Sequence, residues 1–516
     1  MFGGGIVIKN KLIFASILLV LIMITLNTAS AEDPTNTIYI DNQTNNQIQE
    51  IIDTAENGST IIFNSNQYTN LNLIINHSIN IKNNQSTIYS NTSQPVFTII
   101  NTNNVTIENF NINSTSDAIF AQNSRNIGIY NNNISSKSTG INLNRILYAN
   151  IIHNTLTKNN NSAITITQSY NIQISNNTIT DTTKDGIILQ GSNNNINITN
   201  NQLLRNGIYT NYAINLISTN NLDKQNNIYI YNNNITDNGN GINVNVATNK
   251  LNITENAIVR GAKGVNLDQG YRKTDTALYI DYNAFVQGSD LCIDARGSIY
   301  EQVGGIRVGY NWFNRNNNNG FICPKVSAGI LQSNIRQIGD NTYQVYFTAD
   351  GNEVNTLANF NLRVKVNGKI GYSSITNGQG TFTIPGDVGS SSNVIIGDNE
   401  DLTVTVKQYN KPSPKPNNNN PSDNSGNSST SGSGSGGSVS PSTTNGQVSS
   451  QTGSVSSSSV SASSSSSSAE STSEVVKTLT YDEDSFRVIG IPGLLILILL
   501  AILIYYNEDI KKAIKK

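Results

Sequence analysis

The segments IGIYNNNI (127–134), ANIIHNTL (149–156) and IQISNNTI (172–179) superpose residue for residue as apolar–x–apolar–x–x–Asn–x–apolar. With the third residue as anchor, the same frame recurs at Ile107, Ile129, Ile151, Ile174, Ile198, Ile230, Ile253, Ile280 and Val308, in steps of 22, 22, 23, 24, 32, 23, 27 and 28 residues. Two positions before each anchor stands Val105, Ile127, Ala149, Ile172, Ile196, Ile228, Leu251, Leu278 or Ile306. Five after stands Ile112, Ile134, Leu156, Ile179, Leu203, Ile235, Ile258, Phe285 or Phe313. Apolar spacing of two signifies strand, and a unit of this length cannot bury its own apolar face, so the units must stack.

A strand, a sharp corner and a second short strand, such as Gly140-Ile141-Asn142-Leu143 or Gly241-Ile242-Asn243-Val244, make one coil of a parallel β-helix. Leucine-rich repeats share the period but need regularly spaced leucines and a helical segment, absent here. Three residues past the anchor come Asn132, Asn154, Asn177, Asn201, Asn233, Asn256, Asn283 and Asn311, with Phe110 the one departure. Stacked Asn side chains bond one another and the turn backbone, and Asn tolerates the left-handed conformation that a corner demands. Before the first strands, Ile48, Ile51, Ile52 and Ala55 follow helical spacing and Gly58 ends the pattern. Residues 46–56 are therefore expected to form an amphipathic helix capping the open end of the solenoid.

Both termini place this domain outside a membrane. Lys9 and Lys11, an apolar run from Leu12 to Leu26 and the site Ala29-Ser30-Ala31 read as a signal peptide over 1–31. Residues 488–506 are uncharged and long enough to span a bilayer, with Asp482, Glu483 and Asp484 before them and Lys511, Lys512, Lys515 and Lys516 in the tail 507–516. The expectation is a single-pass type I membrane protein with its ectodomain extracellular. A net charge of −2 with 13% charged residues offers no surface for nucleic acid. Two cysteines and two histidines leave little material for zinc. No cofactor is expected.

Coils stop near residue 326. Alternating strands at Gln344–Phe347, Leu362–Val366, Thr381–Ile384 and Leu402–Val406, with Asn367-Gly368 and Asn377-Gly378 turns, predict a small immunoglobulin-like β-sandwich over 326–410. Residues 411–487 are Ser, Asn, Gly and Pro, too poor in apolar groups to offset the entropy of ordering, and read as a disordered tether. The fold class is thus all-β: a right-handed parallel β-helix over 32–325, a sandwich, a tether and one transmembrane helix.

The signal peptide, the Asn-rich coils, the GYNWFN segment at 309–314, the sandwich and the Ser-rich tether together resemble the adhesin-like surface proteins of gut methanogenic archaea. The repeats themselves are similar to the wider pectate-lyase-like β-helix class. That resemblance implies a cell-surface protein presenting its β-helix to glycans, cells or cell-wall material. The alternatives are a polysaccharide lyase or glycoside hydrolase of the β-helix class, or a pure surface spacer.

Hydrolysis needs two carboxylates at a definite separation. Asp181 and Asp185 lie four apart, and Asp268, Asp275 and Asp281 cluster near Arg272 and Lys273, yet no aspartate pair recurs in register in adjacent coils. His153 fills an Asn-like corner position and His77 sits by the first coil, both read as structural. The sequence therefore assigns no catalytic residue, no metal ligand and no enzymatic activity. Longer coils after Ile198 and Ile253 direct attention to Tyr209, Tyr212, Tyr271 and Arg272 as a ligand surface able to stack on sugar rings. Asn133, Asn197, Asn234 and Asn252 head Asn-Ile-Ser/Thr sequons and face outward, which makes them candidates for glycosylation.

Cys292 and Cys323 fall on the extracellular side, where disulfides persist. Counting from the anchors sets Cys292 in the inward file of Ile119, Ile141, Ile242 and Val265, and Cys323 one coil on and about two positions out of phase. A small loop adjustment would bring them within bonding range and staple the end of the solenoid. Thiol labelling of denatured, unreduced protein should find no reactive thiol; two per chain would refute the bridge.

Overall fold

The computed structural model describes residues 36–405, apart from short stretches of which 269–277 and 297–305 are the longest. Three parallel sheets of 13, 11 and 10 strands run the length of a β-helix of about eleven turns. At about 4.8 Å per rung the stack is roughly 50 Å long. In each coil the chain passes along face 1 (as at Arg125–Tyr130), turns the Asn corner into face 2 (Asn133–Ser136), and returns through face 3 (Ile141–Asn144). Face 1 has 13 strands, face 2 has 10 and face 3 has 11.

Anchors pair with anchors: Ile107 with Ile129, Ile129 with Ile151, and so on to Ile280 with Val308. All of them are buried, as is the column that follows the corner from Ile112 to Phe313. Each fully buried Ile or Leu contributes about 1.5–3 kcal/mol, so the solenoid is held by its interior file of aliphatics. Face 1 begins earlier than the repeats suggest, with the strand Thr37–Ile40 ahead of the capping helix. Helix α1 spans Asn45–Thr54, with Thr44 and Gln47 forming a capping box, and lays Ile48 and Ile52 over the core.

At the corner each Asn spans two coils. The backbone N–H of Asn154 donates to Asn177 Oδ1 at 2.8 Å, its Nδ2 donates to the same oxygen at 3.1 Å, and Nδ2 also reaches Ile129 O at 2.8 Å. Asn177 repeats this with Asn201 and Ile151. At the lower end Phe110 N–H donates to Asn132 Oδ1, while the Phe110 ring joins Phe63 and Phe97 edge to face, which accounts for the single departure from Asn. The left-handed residue is not the ladder Asn but its predecessor: Asn109, Asn131, His153, Asn176, Asn200, Asn232, Glu255 and Tyr282 all have positive φ. Asn thus serves twice, once for its backbone tolerance and once for its amide. A second ladder at the next corner runs from Thr182 to Asn206 to Asn238.

Two readings shift in register. Ala328–Ile330 still pairs in parallel with the last full strand of face 1, so the helix extends past 326. Cys292 lies between Leu291, paired with Lys263, and Ile293, paired with Val265, so it stands opposite Gly264 and not in the Val265 file. Its column is one of small residues, Gly140, Gly186, Gly241 and Gly264, where an added Cβ would meet the backbone oxygen of the next coil. Cys292 is buried; Cys323 lies outside the described residues.

Beyond Leu331 two four-stranded antiparallel sheets follow, Gln332–Thr383 contributing strands to the first and Phe360–Thr405 to the second. Their core is continuous with the outer surface of face 2. One outward column there reads Asn111, Asn133, Thr155, Thr178, Gln202, Asn234 and then Ala257, Ala284, Trp312. The switch from polar to apolar marks where this module docks, with Trp312 fully buried and edge-on to Phe347 at 5.0 Å. The signal peptide, the tether and the segment 488–506 lie outside the described residues, among which no helix is long and apolar enough to cross a membrane.

Asn177→Ala strands the buried N–H of Asn154 and removes the Nδ2 donor to Ile151 O, and should cost about 3 kcal/mol of unfolding free energy. Asn176→Ala, which burdens only a left-handed backbone position, should cost about 1 kcal/mol. Equal losses in urea unfolding would refute the division of labour between the two columns.

Candidate functional site

Among the described residues, face 3 carries a long polar file that is outward and yet buried. Its outward column runs Phe120, Asn142, Thr165, Ile188, Asn215, Asn243, Asn266, Asp294. The last four are all under a tenth exposed. A buried polar group must be satisfied, and these satisfy one another. Asn266 Nδ2 donates to Asn243 Oδ1 at 2.7 Å, Asn243 Nδ2 to Asn215 Oδ1 at 2.9 Å, and Asn215 Nδ2 to Asp185 Oδ2 at 3.0 Å. Three amides therefore point their donors along the file toward one carboxyl, which also accepts the Tyr212 N–H at 2.6 Å.

The other end is charged. Lys263 Nζ donates to Asn266 Oδ1 at 2.8 Å and pairs with Asp294 at 3.0 Å, and Arg296 grips both oxygens of Asp294 at 3.0 Å. Tyr212 folds over the file, its hydroxyl accepting from Asn266 Nδ2 at 3.2 Å. The half-buried phenol, Lys263 and the exposed Arg296 are what this network presents to a ligand.

The two terminal carboxyls are driven apart. Burial pushes Asp185 above the ordinary aspartate range, outweighing the bonds from Asn215 and the Tyr212 backbone. Arg296 first, then Lys263, hold Asp294 far below that range. Burial also raises Tyr212, helped by the charges of Asp268 and Asp185. From Asn215 to Asp294 is three rungs, about 14 Å, well beyond the separations of roughly 5–9.5 Å at which paired carboxylates hydrolyse glycosides.

Asp181 and Asp185, four apart in the sequence and not assigned there as a catalytic pair, sit in different surroundings. Asp181 belongs to a corner column with Lys158, Arg205, Asp237 and Arg260, all left-handed and alternating in charge. It takes a two-pronged bond from Arg205 at 2.6 and 2.9 Å, which lowers its pKa. Asp268 bears on Tyr212, whereas Asp281 lies on face 1 against Gly309. Asp275, Arg272, Lys273, Tyr209 and Tyr271 lie outside the described residues, so of the sequence-derived ligand surface only Tyr212 is placed, and it is in this site. His153 is an exposed left-handed corner residue and His77 bonds Asn76. Asn133 and Asn234 are exposed and Asn197 and Asn252 partly so, all outward on faces 2 and 1. Among the described residues no three His, Cys, Asp or Glu side chains converge as a metal site would need. Asn215, Asn243, Asn266, Lys263 and Asp294 escaped the sequence reading, although the Ile-Asn-Val and Val-Asn-Leu alternation of neighbouring coils held the signal.

Residues 96–258 match the family described as right handed beta helix region, so the coils are those of a right-handed, pectate-lyase-like parallel β-helix. No curated protein matches the chain. Among solved structures, a polygalacturonase from Erwinia carotovora ssp. carotovora is 12% identical, covering 54% of this chain and 85% of its own, with a TM-score of 0.37. The A-module of mannuronan C-5 epimerase AlgE6 from Azotobacter vinelandii is 13% identical over 51% and 94%, with a TM-score of 0.33. Pectate lyase Pel9A is 11% identical over 51% and 78%, with a TM-score of 0.34. Likeness at this level speaks to coil architecture and to nothing finer.

The Asp294 shift makes a pH prediction. A carboxyl whose folded pKa is depressed stabilises the fold above its unfolded value, near 3.9, and loses that contribution as pH falls through the folded value. The gap in thermal midpoint between wild type and Asp294→Asn should therefore be widest at pH 5–7 and shrink toward pH 2. A gap that stays constant over that interval would show the ion pairs to be without weight.

Proposed function

We propose that this chain is an extracellular polysaccharide-engaging protein whose face 3, between Asp185 and Asp294, contacts the sugar chain. The observation that carries it is the amide file Asn215–Asn243–Asn266. It spans several rungs in a straight line, as an extended glycan does, and it rigidly seats a half-buried phenol and two cations at its surface. A preorganised row of side chains with aromatic and hydrogen-bonding groups suits sugar hydroxyls and ring faces. The signal peptide, tether and terminal apolar segment of the sequence complete the reading: an adhesin-like surface protein, anchored by 488–506, with the immunoglobulin-like module and tether as spacers.

One observation favours an enzymatic second reading. Asp185 is a buried carboxyl held toward its protonated form beside Tyr212, the state that a general acid acting on a glycosidic oxygen requires. A lyase or hydrolase built here would use Asp185 with a partner other than Asp294.

Full-length protein should be screened on a polysaccharide and glycan array, with reducing-sugar and unsaturated-uronide assays on each hit. Tyr212→Ala should weaken binding about tenfold, the scale of one aromatic contact. If the chain is an enzyme, Asp185→Asn removes turnover while binding stays within a few fold. Retention by no polysaccharide, together with no turnover, would overturn both readings.

A further inference from the structure

A cleft of about 570 Å³ opens where face 2 of the solenoid meets the C-terminal module. One wall is the strand Asn234–Thr236 and Arg260; the other is the strands Phe360–Val366 and Lys369–Ile375. Both walls rest on the shared apolar core, since Phe360 and Ile375 are buried in the cluster that takes in Ala257 and Ala284. The geometry of the cleft is therefore fixed by the docking itself.

Its chemistry is narrow. Tyr372 projects from the module and is 65% exposed, the most exposed of the large aromatics among the described residues. Around it stand amides and hydroxyls: Asn234, Asn361 and Ser374, the last donating to Asn361 Oδ1 at 3.0 Å. Among the described residues no carboxylate lines the cleft. The single cation, Arg260, is engaged by both oxygens of Asp237, one at 2.7 Å, so its charge is already compensated. A phosphate, sulfate or uronate would find no uncompensated positive charge, and a wholly apolar ligand would strand the amide rim. An exposed ring flanked by neutral donors and acceptors matches a ligand with an apolar C–H face and many hydroxyls.

We propose that this cleft binds a short uncharged oligosaccharide stacked on Tyr372, at a site separate from face 3. Two sources supply that chemistry. Asn234 at the mouth heads the sequon Asn234-Ile235-Thr236, so the occupant is either a glycan carried by this chain on Asn234 or a free saccharide from outside.

The test uses full-length protein made in a host without N-glycosylation and in one that performs it. Binding of neutral, uronic and sulfated oligosaccharides is read by saturation-transfer NMR on wild type, Tyr372→Ala and Tyr39→Ala, the last an exposed tyrosine at the far end of the solenoid. The unglycosylated wild type should take neutral oligosaccharides in preference to charged ones. Tyr372→Ala should weaken that binding about tenfold, and Tyr39→Ala should leave it unchanged. Peptide mapping then assigns the source. Hexose mass on Asn234 that blocks free saccharide identifies the chain's own glycan, and undiminished binding by the glycosylated protein identifies an external one. Absence of neutral binding, a preference for charged sugars, or indifference to Tyr372→Ala would overturn the proposal. Face 3 can pass or fail its own test whatever happens here, because Tyr212 and Asp185 lie outside the cleft.

Discussion

Everything in this molecule depends on a hydrogen bond between coils: a corner N–H donating to the Asn Oδ1 one turn on. A parallel solenoid has no local closure, and a slip of one residue between coils would turn every inward side chain outward. The ladder prevents the slip because each Asn oxygen collects the backbone N–H and the amide of the coil before it, in a buried site where an unmade bond is costly. The constraint tolerates large insertions elsewhere. Asn132 to Asn154 is a 22-residue coil and Asn201 to Asn233 a 32-residue one, yet the N–H···Oδ1 distances are 3.0 and 2.9 Å. Extra chain falls on either side of the face 3 strand Tyr212–Ile217.

That division explains what could be read without coordinates. Face 1, the Asn corner and face 2 lie at constant offsets from the anchor, so Ile107 through Phe313 and the whole ladder follow from spacing alone. Face 3 lies beyond a connection of variable length, and counting from the anchor fails there by a residue. Cys292 is the instance: the count put it with Val265, and the pairing puts it with Gly264. The same uncertainty hid the outward file, because Asn215, Asn243 and Asn266 look like any other Asn in a chain full of them until their strand neighbours are known. Left-handed φ was assigned to the ladder when it belongs one residue earlier, since composition is Asn-rich at both positions and only geometry tells amide from backbone.

Docking of the C-terminal module was more legible than it first appears. The outward column on face 2 changes from Asn, Thr and Gln to Ala257, Ala284 and Trp312 within one step after Asn234. An outward column that turns apolar in a solenoid must be covered. The small alanines let the module approach, and Trp312, in the GYNWFN segment, fills the space above them. Asn311, next to it, closes the corner ladder through Ile280 O at 2.9 Å, so one short segment ends the internal order and begins the external contact.

The candidate site grows out of this same regularity. Asp117 and Asp185 occupy equivalent places, each two residues before an inward isoleucine of face 3, and each accepts an Asn amide from the next coil: Asn142 at 2.9 Å and Asn215 at 3.0 Å. Asp117 also takes the Ser138 hydroxyl and the Thr139 N–H and stays partly exposed, a corner cap in an ordinary coil. Asp185 repeats the backbone N–H and amide bonds without the hydroxyl, and its coil is followed by the longer connection that brings Tyr212 and the amide file over it. Side chains cover Asp185, and that burial raises its pKa. No new residue type was needed at the position. The raised pKa arises from the covering, and the covering was permitted because the Asn corner keeps register however much chain is inserted beyond it.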